Sequence, residues 1–166
     1  MENKQKNYTN LNISIYEKEI YADYGYDNHE LIDNSLVDTI YKLAETKPIR
    51  EKLELVIAKK KSVSIDEDRF KKAYKNSISN KTKSISHEIF RCSIVGIVLL
   101  LFGVGLLCVT EFLLHGLDNF AYQFFTILSW VFCWGGIEVL CIQLTQLAIE
   151  KKKYKRLLNC KISFKE

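Results

Sequence analysis

Glu138 is the first residue that has to be accounted for. It is the only charged side chain between Asp118 and Glu150. A carboxylate inside such an apolar stretch is costly in lipid, and its default reading is functional. Arg91 is its natural partner, because it is the last basic residue before a block, residues 92–149, that holds no Lys or Arg. Placed face to face at the inner end of two apolar helices, Arg91 and Glu138 would form a structural ion pair. The other readings are a carboxylate that snorkels without a partner, and a proton or ion site. If the second span begins outside near Ala121, Glu138 lies roughly 25 Å along it, close to the inner boundary.

Other residue groups are weighed the same way. Cys92, Gly96 and Gly103 lie along one side of the first apolar segment, and Ser129, Cys133 and Gly136 along one side of the second. Small residues let helices approach closely in lipid. Packing within a hairpin is preferred here over an interface between protomers, so a homo-oligomer stays open. Trp130, Trp134 and Tyr122 read as packing residues or interfacial anchors. Lys151, Lys152, Lys153, Lys155 and Arg156 read as a topology signal that faces anionic lipid head groups. Lys59–Lys61 add a second basic run, but no RNA- or DNA-binding motif accompanies it, so nucleic acid is not an expected partner. Asp23, Asp27, Glu30 and Asp33 cluster with Tyr21, Tyr24 and Tyr26, which reads as a solvated loop ahead of a site for a cation or a basic partner.

Nothing in the chain spells out catalysis. There is no G-x-x-x-x-G-K-[ST], G-x-S-x-G or H-E-x-x-H run. His29, His87 and His115 have no ligand spacing, and Glu111 with His115, one helical turn apart, reads as a solvated pair. The five Cys include no C-x-x-C, so neither a zinc site nor a redox motif is expected. No catalytic residue, metal or cofactor is therefore assigned, and an enzyme is disfavoured.

These residues need elements to carry them, and charge locates those elements. Residues 1–48 hold 5 basic and 9 acidic side chains, residues 49–91 hold 12 and 6, and residues 150–166 hold 7 and 2. The overall charge of +4 and the mean hydropathy of −0.07 average over these unlike blocks. Cys92 to Thr110 and Asn119 to Ile137 are each runs of 19 uncharged residues. At about 1.5 Å per residue each nearly spans the ~30 Å core of a bilayer. Lys81, Lys83 and Arg91 precede the first run and the 151–156 cluster follows the second, while Glu111 to Asp118 holds no cation. The asymmetry puts both termini in the cytoplasm. The polar N-terminal stretch does not read as a cleaved signal peptide.

The cytoplasmic part reads as a small α/β fold. Leu11, Ile13 and Ile15 alternate with polar residues, as do Leu53, Leu55 and Ile57, and as do Cys160, Ile162 and Phe164. Period 2 predicts three strands. Val56 and Ala58 make the second strand partly apolar on its other face. Asp33 or Asn34 is placed to cap a helix bearing Leu36, Val37, Ile40, Tyr41 and Ala44, which Pro48 ends. Ser64-Ile65-Asp66-Glu67 fits a capping box that opens a helix bearing Phe70, Ala73, Tyr74 and Ile78. Asn76 to Ser86 reads either as a linker or as a weak helix running into the first span.

The strand Asn12-Ile13-Ser14-Ile15-Tyr16, the helix start Asp66-Glu67-Asp68-Arg69-Phe70, the two spans, Trp134-x-x-x-Glu138 and the basic helix ending in a strand at Asn159 to Phe164 resemble a family of small bacterial two-span membrane proteins of uncharacterised function. That family often has a basic residue and a proline after the Trp, where Gly135 and Gly136 stand here. The resemblance implies the architecture and lends no activity.

The expected fold is a membrane α+β protein: a two-helix transmembrane hairpin inserted in a small three-stranded cytosolic α/β domain. Its segments are a flexible N-terminus at 1–10, a cytosolic α/β domain at 11–86, and a hairpin at 87–150 with spans near 92–113 and 120–142. Residues 151–166 supply the basic helix end and a final strand that returns to the sheet. The expected function is an integral inner-membrane protein presenting a cytosolic binding or assembly module to an unidentified protein or small molecule. The alternative is an oligomerising membrane effector, channel-like and gated by a cytosolic ligand or partner.

Overall fold

The computed structural model describes residues 8–15, 20–21, 30–48, 51–59, 66–113 and 119–165. It is mostly helical, with one small parallel sheet. In chain order the elements are β1 (Tyr8–Ile15), α1 (Asn34–Glu45), β2 (Lys52–Lys59), α2 (Glu67–Leu113), α3 (Asn119–Glu138), a π-helical turn (Val139–Gln143), α4 (Leu144–Leu158) and β3 (Lys161–Lys165).

All three strands run parallel in the order β1-β2-β3. The register pairs Leu11 with Leu55 and Ile13 with Ile57, then Leu55 with Ile162 and Ile57 with Phe164. Paired residues point to one face, so the three alternating patterns merge into a single apolar surface. Asn10, Glu54 and Lys161, and likewise Ser14, Ala58 and Lys165, share the opposite face. Val56 is buried on that polar face and Ala58 is exposed.

Helices cover the apolar face because each offers an apolar stripe at helical spacing. Val37, Ile40 and Ala44 of α1, Phe70, Ala73, Tyr74 and Ile78 of α2, and Tyr154 and Leu157 of α4 are all buried. The Phe70 ring meets Phe164 of β3 edge-on at 5.9 Å, and Tyr41 stacks on Tyr154 at 4.6 Å. The buried Tyr74 hydroxyl donates to the Leu157 carbonyl at 3.1 Å. The chain divides into two compact units, residues 1–84 with 151–166 and residues 85–150.

Two helix starts are explicit. The Asp33 carboxylate accepts from the Ser35 amide at 3.1 Å, capping α1. The Asp66 carboxylate accepts from the amides of Asp68 and Arg69 at 3.1 and 3.3 Å, capping α2. This corrects the expected capping box. With Asp66 as the cap, Glu67 is the first helical residue and stands too early to reach back as a box requires; Ser64 and Ile65 lie outside the described residues. α1 ends at Glu45, ahead of Pro48. Residues 76–86 are not a linker but part of the unbroken α2. Their modest helix propensity is overridden by buried positions at Ser77, Ile78 and Ile85.

In the unit of residues 85–150, α2 and α3 are each long and apolar enough to cross a membrane. Their large apolar side chains point outward: Leu101, Phe112, Phe120, Ile127, Trp130 and Trp134 are all at least 64% exposed.

Candidate functional site: the helical pair and the basic helix

The two apolar helices touch through their small residues. A Cβ on Gly103 would sit 2.6 Å from Cys133 Sγ and 3.0 Å from the Ser129 carbonyl oxygen. A Cβ on Gly136 would sit 2.9 Å from both the Gly96 carbonyl oxygen and the Leu100 nitrogen, and one on Gly96 would meet Leu140 at 2.7 Å. The structure thus brings Gly96, Gly103, Ser129, Cys133 and Gly136 to one seam, where the backbones come close because no side chain intervenes. Gly105 and Gly135 are not part of it, since nothing lies within 4 Å of a Cβ at either. Ser129 and Thr110 are buried, and their hydroxyls fold back onto the carbonyls of Phe125 and Leu106 at 2.7 and 2.8 Å. Polar groups here are satisfied within their own helix. Near the far end the Tyr122 hydroxyl donates to the Glu111 carboxylate at 2.9 Å; His115 lies outside the described residues.

Arg91 and Glu138 are not brought together. The Arg91 guanidinium approaches Glu88, one turn earlier on its own helix, at 3.9 Å. The reason is register. Gly96 sits against residues 136–140 and Gly103 against 129–133, so Glu138 stands level with Gly96, about 7.5 Å along the helix from Arg91. It is also exposed, because it lies on the opposite side of α3 from the Ser129–Cys133–Gly136 seam. Glu138 is therefore a carboxylate on the outer surface of an apolar helix. The π-helical turn follows it directly, with the Leu144 amide bonded back to the Val139 carbonyl. Such turns insert a residue and reset which face the following helix presents. None of the sequence patterns around Gly135 and Gly136 announced it.

The basic helix divides its cations between two tasks. Lys152 and Lys155 are exposed and Lys151 is half-buried. Lys153 and Arg156, grouped with the lipid-facing set on sequence, turn onto the protein instead. Lys153 Nζ lies 2.6 Å from Glu45 Oε1 and over the Tyr41 ring, and the carboxylate holds its ammonium above the usual lysine range. Arg156 donates to the Glu51 and Lys47 carbonyls at 2.8 and 3.3 Å, tying α4 to the segment between α1 and β2. Burial lowers its guanidinium's affinity for a proton. Tyr154 and Leu157 on the same helix are core residues, so one side of α4 belongs to the sheet's cover.

The acidic tyrosine cluster lies mostly outside the described residues, at Asp23, Tyr24, Tyr26 and Asp27. Its described end already has a basic partner within the chain. Arg69 binds Glu30 through two hydrogen bonds of 2.8 and 2.9 Å, and its guanidinium lies 4.5 Å over the Tyr21 ring. Sequence reading missed Arg69 because its partner lies 39 positions away. The bidentate contact with Arg69 holds the Glu30 carboxyl below its ordinary range. Among the described residues no group of three or more His, Cys, Asp or Glu could hold a metal ion. Comparison with family models, with curated proteins and with solved structures finds no match to this chain.

Proposed function

We propose that this chain is a two-span membrane protein. Its hairpin, residues 87–150, is inserted between the parts of a cytoplasmic α/β unit that serves as a binding or assembly module. The observation that carries the reading is the outward apolar surface of α2 and α3 over a block without a single Lys or Arg, flanked on both sides by cations. The cation asymmetry favours cytoplasmic termini and an inner-membrane location. Lys151, Lys152 and Lys155 would meet anionic head groups, each contributing about 1 kcal/mol near the surface. The test is carbonate extraction of membranes from expressing cells, with a cytoplasm-dependent reporter fused to either end. The chain should stay in the pellet and both fusions should report. Release by carbonate, or one silent end, would overturn the reading.

One observation favours a second reading, that of an oligomerising effector. Glu138 faces away from α2, the helix packed against α3, so in lipid it needs water, a head group or a neighbouring copy. Mass measurement in detergent combined with a membrane-potential dye separates the two. A module gives monomers or dimers and an undisturbed potential on overexpression. An effector gives higher oligomers and depolarisation, which Glu138→Gln weakens.

A further inference from the structure

A cavity of about 310 Å³ opens within the sheet-bearing unit, between the Leu31–Val37 segment and one face of α2. That face is Ser77, Asn80, Lys81 and Ser84, at the i, i+3, i+4, i+7 spacing that lines up side chains on a helix. These residues belong to the stretch whose polar composition read as a linker. The structure makes it helical and points its polar side into a hollow.

The chemistry of the hollow is one-sided. Ser77 is only 7% exposed, and its Oγ accepts from the Ile32 amide at 2.8 Å. Its own hydroxyl hydrogen has no acceptor among the described residues. Elsewhere on these helices hydroxyls fold back on the preceding turn, as Thr82 does onto Ile78 and Ser93 onto Ile89; Ser77 and Ser84 do not. The side chains of Lys81, Asn80 and Asn34, which also line the cavity, make no hydrogen bond or ion pair among the described residues. No carboxylate among the described residues lines it. Of the carboxylates next to lining residues along the chain, Asp33 and Glu30 are spent on Ser35 and Arg69, and Asp38, beside Val37, is exposed and does not line the cavity. The first amides of α1 are served by Asp33, so the free donors are side chains: one ammonium, two hydroxyls and two carboxamides.

Five donors unspent among the described residues, one of them carrying a positive charge, call for a compact anion with more than two acceptor oxygens. We propose that this cavity binds a phosphate group. The volume suits a small phosphate ester, at the lower end of ligand-site sizes. The phosphate could come from a soluble ester or from a phospholipid head group, since α2 runs on from Ser84 to the apolar segment at Cys92. All the lining residues belong to one compact unit, so the proposal does not rest on the membrane reading.

The test uses the full-length protein in detergent, with glycerol 3-phosphate as the soluble probe, and in phosphatidylcholine nanodiscs with or without phosphatidic acid. Saturable binding is read by calorimetry and by the shift in unfolding temperature. Lys81→Ala should weaken binding about tenfold, as loss of a charge-assisted contact does. Ser84→Ala with Asn80→Ala should add to that loss. Lys83→Ala, an exposed cation outside the cavity, should leave affinity unchanged, and circular dichroism should be the same for all variants. A response to glycerol 3-phosphate assigns a soluble ester; a response confined to phosphatidic acid assigns a head group. Absence of saturable binding to both probes, or equal losses for Lys81→Ala and Lys83→Ala, overturns the proposal. Neither result bears on carbonate extraction.

Discussion

Individual side chains in the sheet-bearing unit are bound to partners far along the chain, and that makes them measurable. Tyr74 is 1% exposed, and its hydroxyl spans the core to the Leu157 carbonyl and to Cys160 Sγ at 3.4 Å. Burial raises the proton affinity of both the Tyr74 phenol and the Cys160 thiol, so both groups stay protonated near neutral pH. Tyr74→Phe should cost about 1 kcal/mol in chemical denaturation. The figure stays low because the Leu157 carbonyl keeps the Cys160 amide as a second donor at 3.1 Å; a loss near zero would mean the phenol contributes only its ring. Glu30 and Arg69 give a pH signature. The folded carboxyl is held below its unfolded value by Arg69, so the stabilisation is present above the ordinary glutamate range near pH ~4.3 and fades as pH falls through the folded value. Carboxyl NMR should place the Glu30 midpoint below that of an exposed glutamate, and Arg69→Ala should restore it. An unchanged midpoint in the variant would dissociate the two groups.

At the level of helices and strands, periodicity was the legible part. β1, β2 and β3 were readable because alternate residues share a face, and α1 because Asp33 and Pro48 bracket an apolar stripe. What stayed hidden depends on packing between elements. The continuity of α2 through residues 76–86 comes from buried Ser77 and Ile78, which propensity does not see. The failure of Arg91 to meet Glu138 comes from the offset between two helices, fixed by which residue faces Gly96. The inward turn of Lys153 and Arg156 depends on the phase of α4, which no local pattern specifies. The glycines offer a sharp contrast. Gly103→Val should separate α2 from α3, because the new side chain would overlap Cys133 and Ser129. Gly105→Val, with open space around it, should be tolerated. The check is cross-linking of single cysteines on the facing helices in membranes, where the first variant loses the cross-link and the second keeps it. Equal behaviour of the two would dismiss the seam.

For the molecule as a whole, the sheet joins distant parts of the chain. Residues 54–58 pair with residues 161–165, and the compact unit that holds them takes residues 1–84 together with 151–166. Deleting residues 159–166 should uncover Leu55, Ile57 and Phe70 and raise protease sensitivity across residues 8–84. Protease resistance equal to that of the full chain would show that β3 is dispensable. The same topology sets an order of events during synthesis. A ribosome makes β1, α1 and β2, then both apolar helices, before β3 exists. Until β3 arrives, β2 carries one open edge, the kind of template on which strands from different chains pair. Closing the sheet is thus a late, long-range step. Conditions that crowd half-made chains should therefore promote aggregation through β2, whereas in the finished sheet the open edge passes to β3, five residues long with Lys at both ends, the short, charged kind of edge that resists pairing.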